Sequence, residues 1–204
     1  MGRTSDAKER LIEAVIELFW AGSYGGTSVD QICERAGVKK GSFYHFFESK
    51  TELAIAGIEH GWQEHRKEMD QVFSPIVPPL ERIWRSCENF QQEQREVQAK
   101  FGHVLGCPIH SLGAEVSTTD ERLRDKLQEI IELHIQYFES AVRDAHLQGL
   151  IHAPDPGKVA RILFAYGEGL LLQARISNNL SRLDELQAGA RHILGLKEET
   201  TSGS

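Results

Sequence analysis

No run of apolar residues in this chain approaches the roughly 20 that a membrane-spanning helix needs, and the opening MGRTSDAKER lacks the apolar centre of a secretory signal. No membrane partner is expected, and a cytoplasmic location is. Cysteine is sparse: Cys33, Cys87 and Cys107 are too few and too widely spaced for a disulfide framework or a zinc pattern. No stretch alternates with period two and paired turn residues are rare, which excludes a sheet as the main architecture. Enzyme signatures are missing too. There is no Gly-rich phosphate loop, no CxxC and no Ser/His/Asp order, and acidic pairs such as Glu198-Glu199 fall in solvated places. Nine histidines exceed the usual share, but His60 and His65 are five apart and His103 and His110 seven apart, so neither makes the i, i+4 pair that converges on a metal. The expectation is therefore no enzyme, no cofactor and no metal. Positive charge is also short: the net charge of −7 argues, taken whole, against nucleic acid as a partner, because phosphate contact needs cations.

The distribution of charge along the chain points the other way. Residues 1–50 carry seven Lys or Arg (3, 8, 10, 35, 39, 40, 50) against seven Asp or Glu (6, 9, 13, 17, 30, 34, 48), so the remaining 154 residues hold the whole excess of negative charge. A neutral head with a local lysine cluster precedes an acidic body. Forty per cent hydrophobic residues within 204 are enough for a sizeable core in one or two domains.

Apolar residues follow helical spacing almost throughout. Leu11, Ala14, Val15, Leu18 and Phe19 form one face of a first helix, which AGSYGGT ends. Ser28 with Gln31 reads as a capping box, followed by Val29, Ile32, Cys33 and Ala36 and closed by Gly37 as a left-handed stop. A third short helix carries Lys40 to Phe46, and Ser49 with Glu52 caps a longer fourth that SPIVPP, 74–79, breaks. Thr118 with Glu121 is expected to open a long helix ending near Gly149, Asp155-Pro156 to open another, and Ser181 a last one. The tail KEETTSGS, 197–204, has no apolar anchor and is expected to be disordered. The fold class is all-α.

The stretch KKGSFYHFFESK, 39–50, sets charges beside rings. Two short helices joined by AGVKK fit a helix-turn-helix, whose second helix enters the major groove. On such a helix Phe43, Phe46 and Phe47 turn back toward the first helix, while Lys39, Lys40, Ser42, Tyr44 and His45 stay on the groove side. Tyr44 and His45 can lie along the helix and donate to phosphate. Gly41, without a Cβ, permits close approach to DNA. Thr27 and Ser28 place hydroxyls and free backbone N–H groups at a helix start, where an anion is favoured. Alone, the stretch reads equally well as a solvated amphipathic helix with a surface lysine pair.

GTSVDQICERAGVKKGSFYHFFESKTEL resembles the DNA-binding signature of the TetR family of one-component bacterial regulators, with Thr27, Ile32, Ala36, Gly37, Val38, Gly41, Tyr44, Phe47, Lys50 and Leu53 where that pattern wants them. The resemblance implies a three-helix helix-turn-helix domain over 1–50 whose DNA face is Thr27, Lys39, Lys40, Ser42, Tyr44, His45 and Lys50. It implies a helical ligand-binding and dimerisation domain over 51–196. It further implies a homodimer on a double-stranded, inverted-repeat operator and regulation by a small molecule. The helices over 156–178 and 183–195 are the expected dimer elements. A pocket is expected between the fourth helix and the segments from 84 to 142, lined by Trp62, Trp84, Phe90, Phe101, Tyr137 and Phe138, although rings at helical spacing also fit a plain core.

In FGHVLGCPIHSLGAEVS, 101–117, Cys107 stands just before a proline suited to the first turn of a helix, where N–H groups and the positive helix end favour a thiolate. His103 and His110 are near in sequence, and Arg175 is the nearest cation in LLLQARIS, 170–177. These two segments resemble an electrophile-sensing TetR subgroup, the one that includes the repressor of N-ethylmaleimide reductase, which implies that Cys107 is the reactive thiol and the inducer an electrophile or oxidant. The alternative is a noncovalent hydrophobic ligand with Cys107 as a small buried hydrophobe.

Overall fold

The computed structural model describes the backbone of residues 3–197 and side chains from Asp6 onward; all of the expected tail except Lys197 lies outside the described residues. Among the described residues there is no strand, and no helix is long and apolar enough to cross a membrane. The helices are α1 (Arg3–Ala21), α2 (Val29–Ala36), α3 (Lys40–Phe46), α4 (Lys50–Val72), α5 (Pro79–Phe101), α6 (Pro108–Val116), α7 (Glu121–Leu147), α8 (Pro156–Ser177) and α9 (Leu186–Ile193), with a 3-10 turn at Leu180–Glu185. The described residues form two compact units, those up to 67 with 108–131, and 68–107 with those from 132 onward, so the division falls inside α4 and α7.

The first unit is built on local signals. The Ser28 hydroxyl accepts from Gln31 N at 3.2 Å and Gln31 Oε1 accepts from Ser28 N at 2.8 Å, a complete capping box. Gly37 ends α2 at φ 63°. The apolar faces of α1, α2 and α3 then close on one another, burying Leu11, Ala14, Val15, Ile32, Cys33, Ala36 and Phe43 with Phe47 and Leu53. From far along the chain α6 joins this body: Glu115 accepts the backbone N–H of Tyr24 at 2.8 Å and of Gly25 at 2.6 Å. The Thr51 hydroxyl donates to Asp120 at 2.7 Å and lies 3.0 Å from the Tyr24 hydroxyl.

The second unit packs Met69, Phe73, Ile83, Cys87, Val142, Leu163, Leu171, Leu183 and Leu186 into its core. Arg82, only 3% exposed, is the cation inside it. Its guanidinium donates to Asp144 at 2.6 Å and to the carbonyls of Val77 at 2.8 Å and Pro75 at 3.1 Å, which fastens the proline-rich turn before α5.

Two helix starts differ from expectation. Asp120, not Thr118, caps α7, its carboxylate accepting from Leu123 N at 3.1 Å; an anion at a helix start outcompetes a hydroxyl two residues earlier. The last helix begins at Leu186 rather than Ser181, because Asn179 accepts from Ser181 N at 3.0 Å and winds the intervening residues as a 3-10 turn.

Candidate nucleic-acid interface and cysteine site

Burial splits α3 into two faces. Phe43 is fully buried and Phe47 is 3% exposed, whereas Lys39, Lys40, Gly41, Tyr44 and His45 are exposed. Phe46 is half-buried against the same core. Tyr44 stands 55% exposed with its ring edge-on to Phe43, centroids 5.1 Å apart, and His45 sits edge-on to Phe46 at 4.9 Å. A Cβ on Gly41 would meet nothing within 4 Å, so nothing in this chain requires glycine there, and a surface outside the chain is what its flat backbone can admit. Ser42 is half-buried at the edge of this row. Ser28 is exposed at the start of α2.

Two expected contacts face elsewhere. Thr27 is 6% exposed and its hydroxyl donates to the Ser23 carbonyl at 2.7 Å, so the group expected to meet an anion instead closes the turn before α2. Lys50 donates to the carbonyls of Tyr24 at 2.7 Å and Thr27 at 3.0 Å, with its ammonium 4.1 Å from the centroid of the Tyr24 ring. Loss of hydration holds its pKa below the usual lysine range, against the Glu115 charge that raises it. The lysine expected on phosphate thus braces the loop between α1 and α2. Lys40 is exposed but paired: its ammonium is 2.8 Å from one oxygen of Asp30 and 3.0 Å from the other. Asp30, Tyr24 and Glu115 were not anticipated from sequence, since their partners lie 10 to 91 residues away and no spacing rule connects them.

Cys107 is half-buried, immediately before α6. The loop leading to it is docked on α8: Val104 N donates to Asn178 Oδ1 at 2.9 Å, and Gly106, at φ +76°, lies so close to the Arg175 stem that a Cβ would stand 3.0 Å from Arg175 Cδ. The Arg175 stem is therefore packed against Gly106, the residue before Cys107. The Cys107 sulfur and a Glu168 carboxylate oxygen lie within 4.8 Å of each other. Glu168 was missed because only the fold brings it to position 107. His103 is exposed in the loop, and His110 lies in α6 within the first unit. The other thiols are shielded: burial, with Glu88, pushes Cys87 up to about 12, and burial raises Cys33 as well.

The expected pocket rings divide. Trp84, Phe90, Tyr137 and Phe138 pack against the second core, with Phe73 edge-on to Phe138 at 5.1 Å and the Arg191 guanidinium 4.8 Å over Trp84. Phe101 lies under Lys100 at 4.9 Å, and Trp62, in the first unit, is 6.3 Å from the His65 ring. Among them on α5 sits Gln94, 3% exposed, whose side-chain oxygen has no hydrogen-bond partner. Its neighbour Glu93 is pushed up to about 7, by loss of hydration first and then by Glu68, Glu168 and Glu96; the residue retains solvent access, which screens part of that penalty.

An all-helical chain with a helix-turn-helix head of this form is a DNA-binding regulator, and the comparisons give the class: the family model "Bacterial regulatory proteins, tetR family" matches residues 11–56 and "Tetracyclin repressor-like, C-terminal domain" matches 79–189. The chain belongs to the TetR family of transcriptional regulators. It is 30% identical over 172 residues to the transcriptional regulator AcuR of Cereibacter sphaeroides, covering 83% of this chain and 77% of that one. It is 26% identical over 194 residues to the transcriptional repressor NemR of Escherichia coli K12, covering 93% and 94%. The crystal structure of reduced E. coli NemR superposes with a TM-score of 0.79 at 25% identity over 93% of this chain and 98% of that one. A TetR regulator from Rhodobacter sphaeroides gives 0.79 at 28% identity over 91% and 98%.

Proposed function

We propose that two copies of this chain bind an inverted-repeat operator as a repressor, and that modification of Cys107 by an electrophile or oxidant releases them. The observation that carries the DNA reading is the split of α3, with Lys39, Gly41, Tyr44 and His45 outward and Phe43 and Phe47 locked inward. Ser28 and Ser42 flank that row, and most contacts from it would go to phosphates. A dimer doubles the lysine cluster and sets the two α3 helices for successive major grooves about 34 Å apart. Relatives that are repressors support the sign of regulation. The protein then acts in the cytoplasm and turns over no substrate.

The release step rests on chain continuity. Cys107 is followed directly by α6, and Glu115 of α6 holds the backbone of Tyr24 and Gly25 in the head. A bulky adduct on the sulfur would displace the start of α6 and loosen that hold. The required coupling is of ordinary size, about 1–3 kcal/mol. Cys107→Ser should keep operator binding in a gel-shift titration and abolish release by N-ethylmaleimide; release that persists in the variant removes Cys107 from the mechanism.

A second reading is favoured by the orphaned Gln94 oxygen and by Glu168 beside the sulfur: a noncovalent ligand with an apolar body and a donor group for Gln94, with Cys107 as packing. That reading expects release by a ligand in Cys107→Ser and a loss of that release in Gln94→Leu.

A further inference from the structure

Charges in the head balance, so each cation offered to DNA counts. Arg35 of α2 is held by Glu17, and Lys40 of α3 is held by both oxygens of Asp30, at 2.8 and 3.0 Å. Side chains at the Lys40 pair remain 53% and 70% exposed, and pairs so exposed contribute little to a fold. The hydrogen bond to Asp30, then its charge, raises the Lys40 pKa, so the ammonium stays fully charged. Two oxygens on one ammonium reproduce what a DNA phosphate offers the same group. Lys40 adjoins the exposed row of Lys39, Gly41, Tyr44 and His45, and Asp30 of α2 holds its ammonium.

We propose that Asp30 is an internal competitor for Lys40 that limits the affinity of the head for the DNA backbone. The inference rests on the DNA-binding reading above. For Lys40 to reach a phosphate it must leave Asp30, or else carry a carboxylate toward the backbone; either way one cation per head is withheld from the counterion-releasing contacts that make up sequence-independent binding. An operator complex adds base-edge contacts that this competition does not touch, so the non-specific complex loses the larger share of its affinity. Asp30 would then help keep a dimer from being held on random DNA.

The test uses the full-length protein, a labelled duplex of mixed sequence as probe, and fluorescence anisotropy across a series of KCl concentrations. Asp30→Asn should tighten binding at low salt on the order of tenfold or more. It should also steepen the slope of log K against log salt by about 0.9 per head, hence about 1.8 per dimer. Introduced beside Lys40→Gln, the same substitution should leave the slope unchanged and give a much smaller gain in affinity, the part that comes from removing a negative charge near phosphate. Unaltered affinity and slope in Asp30→Asn overturn the proposal, as does weaker binding. A gain of the same size beside Lys40→Gln overturns it too, because the effect is then general repulsion. If the wild type shows no salt-dependent binding at all, the DNA-binding reading itself has failed; if the wild type binds and Asp30→Asn matches it, only the role of Asp30 has.

Discussion

An ammonium group has three N–H donors, and at Lys50 two of them go to the carbonyls of Tyr24 and Thr27 while the aromatic face of Tyr24 covers it at 4.1 Å. On the DNA-binding reading proposed above, a lysine so placed would act by holding a loop rather than by touching phosphate. Lys50→Met removes two charge-assisted hydrogen bonds from a half-buried site and should lower stability by about 1–2 kcal/mol. Operator binding should weaken with the loop, but the slope of log K against log salt should stay that of the wild type. Lys39→Met, by contrast, should leave the melting temperature in place and make the slope shallower by about 0.9 per head. Calorimetry and salt-series binding on the same two samples decide the matter, and a shallower slope for Lys50→Met would put that side chain on the backbone after all. The sequence places Lys50 beside the groove helix and says nothing of its partners, which lie 26 and 23 residues back. Thr27 illustrates the same gap, since its hydroxyl looks like a surface cap until the turn from Ser23 folds over it.

Elements were more legible than contacts, for a physical reason. Helix caps and faces are set by residues three or four apart, so the Ser28 box, the Gly37 stop, the Asp155 cap and the two-sided character of α3 all follow from short-range pattern. Where two capping signals overlap, pattern alone is ambiguous, as Asp120 against Thr118 shows. Long-range fastenings carry no such signal, and Arg82 is the plainest case. A sequence offers no reason to bury an arginine in α5, yet its guanidinium is what satisfies two carbonyls of the turn at 75–77 and pairs with Asp144 on α7. Arg82→Met keeps the apolar stem but leaves those three acceptors without donors. The expected cost is about 2–3 kcal/mol, moderated because Asp144 is 35% exposed and can recover water. Chemical denaturation should show it as a lowered midpoint at unchanged slope. A loss below about 0.5 kcal/mol would mean that the turn is held by its prolines alone.

At the scale of the whole molecule, one apolar surface left open among the described residues is on α8. Ile162, Leu172 and Ile176 are 45%, 57% and 78% exposed, and Ala165 and Gly169 fall between them at the same helical spacing, with open space around a Cβ built on Gly169. A stripe of this kind, small residues between branched ones, lets a second helix approach closely, and in a two-fold dimer each copy presents the same stripe to the other. The face of α8 opposite to it is taken by Leu163, Leu170, Leu171 and Ala174, and among the described residues the stripe is left largely open. Replacing Leu172 or Ile176 by Glu adds no strain to the single chain, because both side chains are open to water. In a dimer that joins stripe to stripe, it would bury carboxylates in the interface, a like-charge contact without compensation. Sedimentation should therefore find Ile176→Glu monomeric at concentrations where the wild type is dimeric, with helix content and melting behaviour of the single chain retained. Operator affinity should fall on the order of 100-fold or more, since one head alone keeps only half of the groove and phosphate contacts. A variant that stays dimeric would move the interface off this stripe, and one that becomes monomeric yet binds the operator undiminished would show that the two heads act independently.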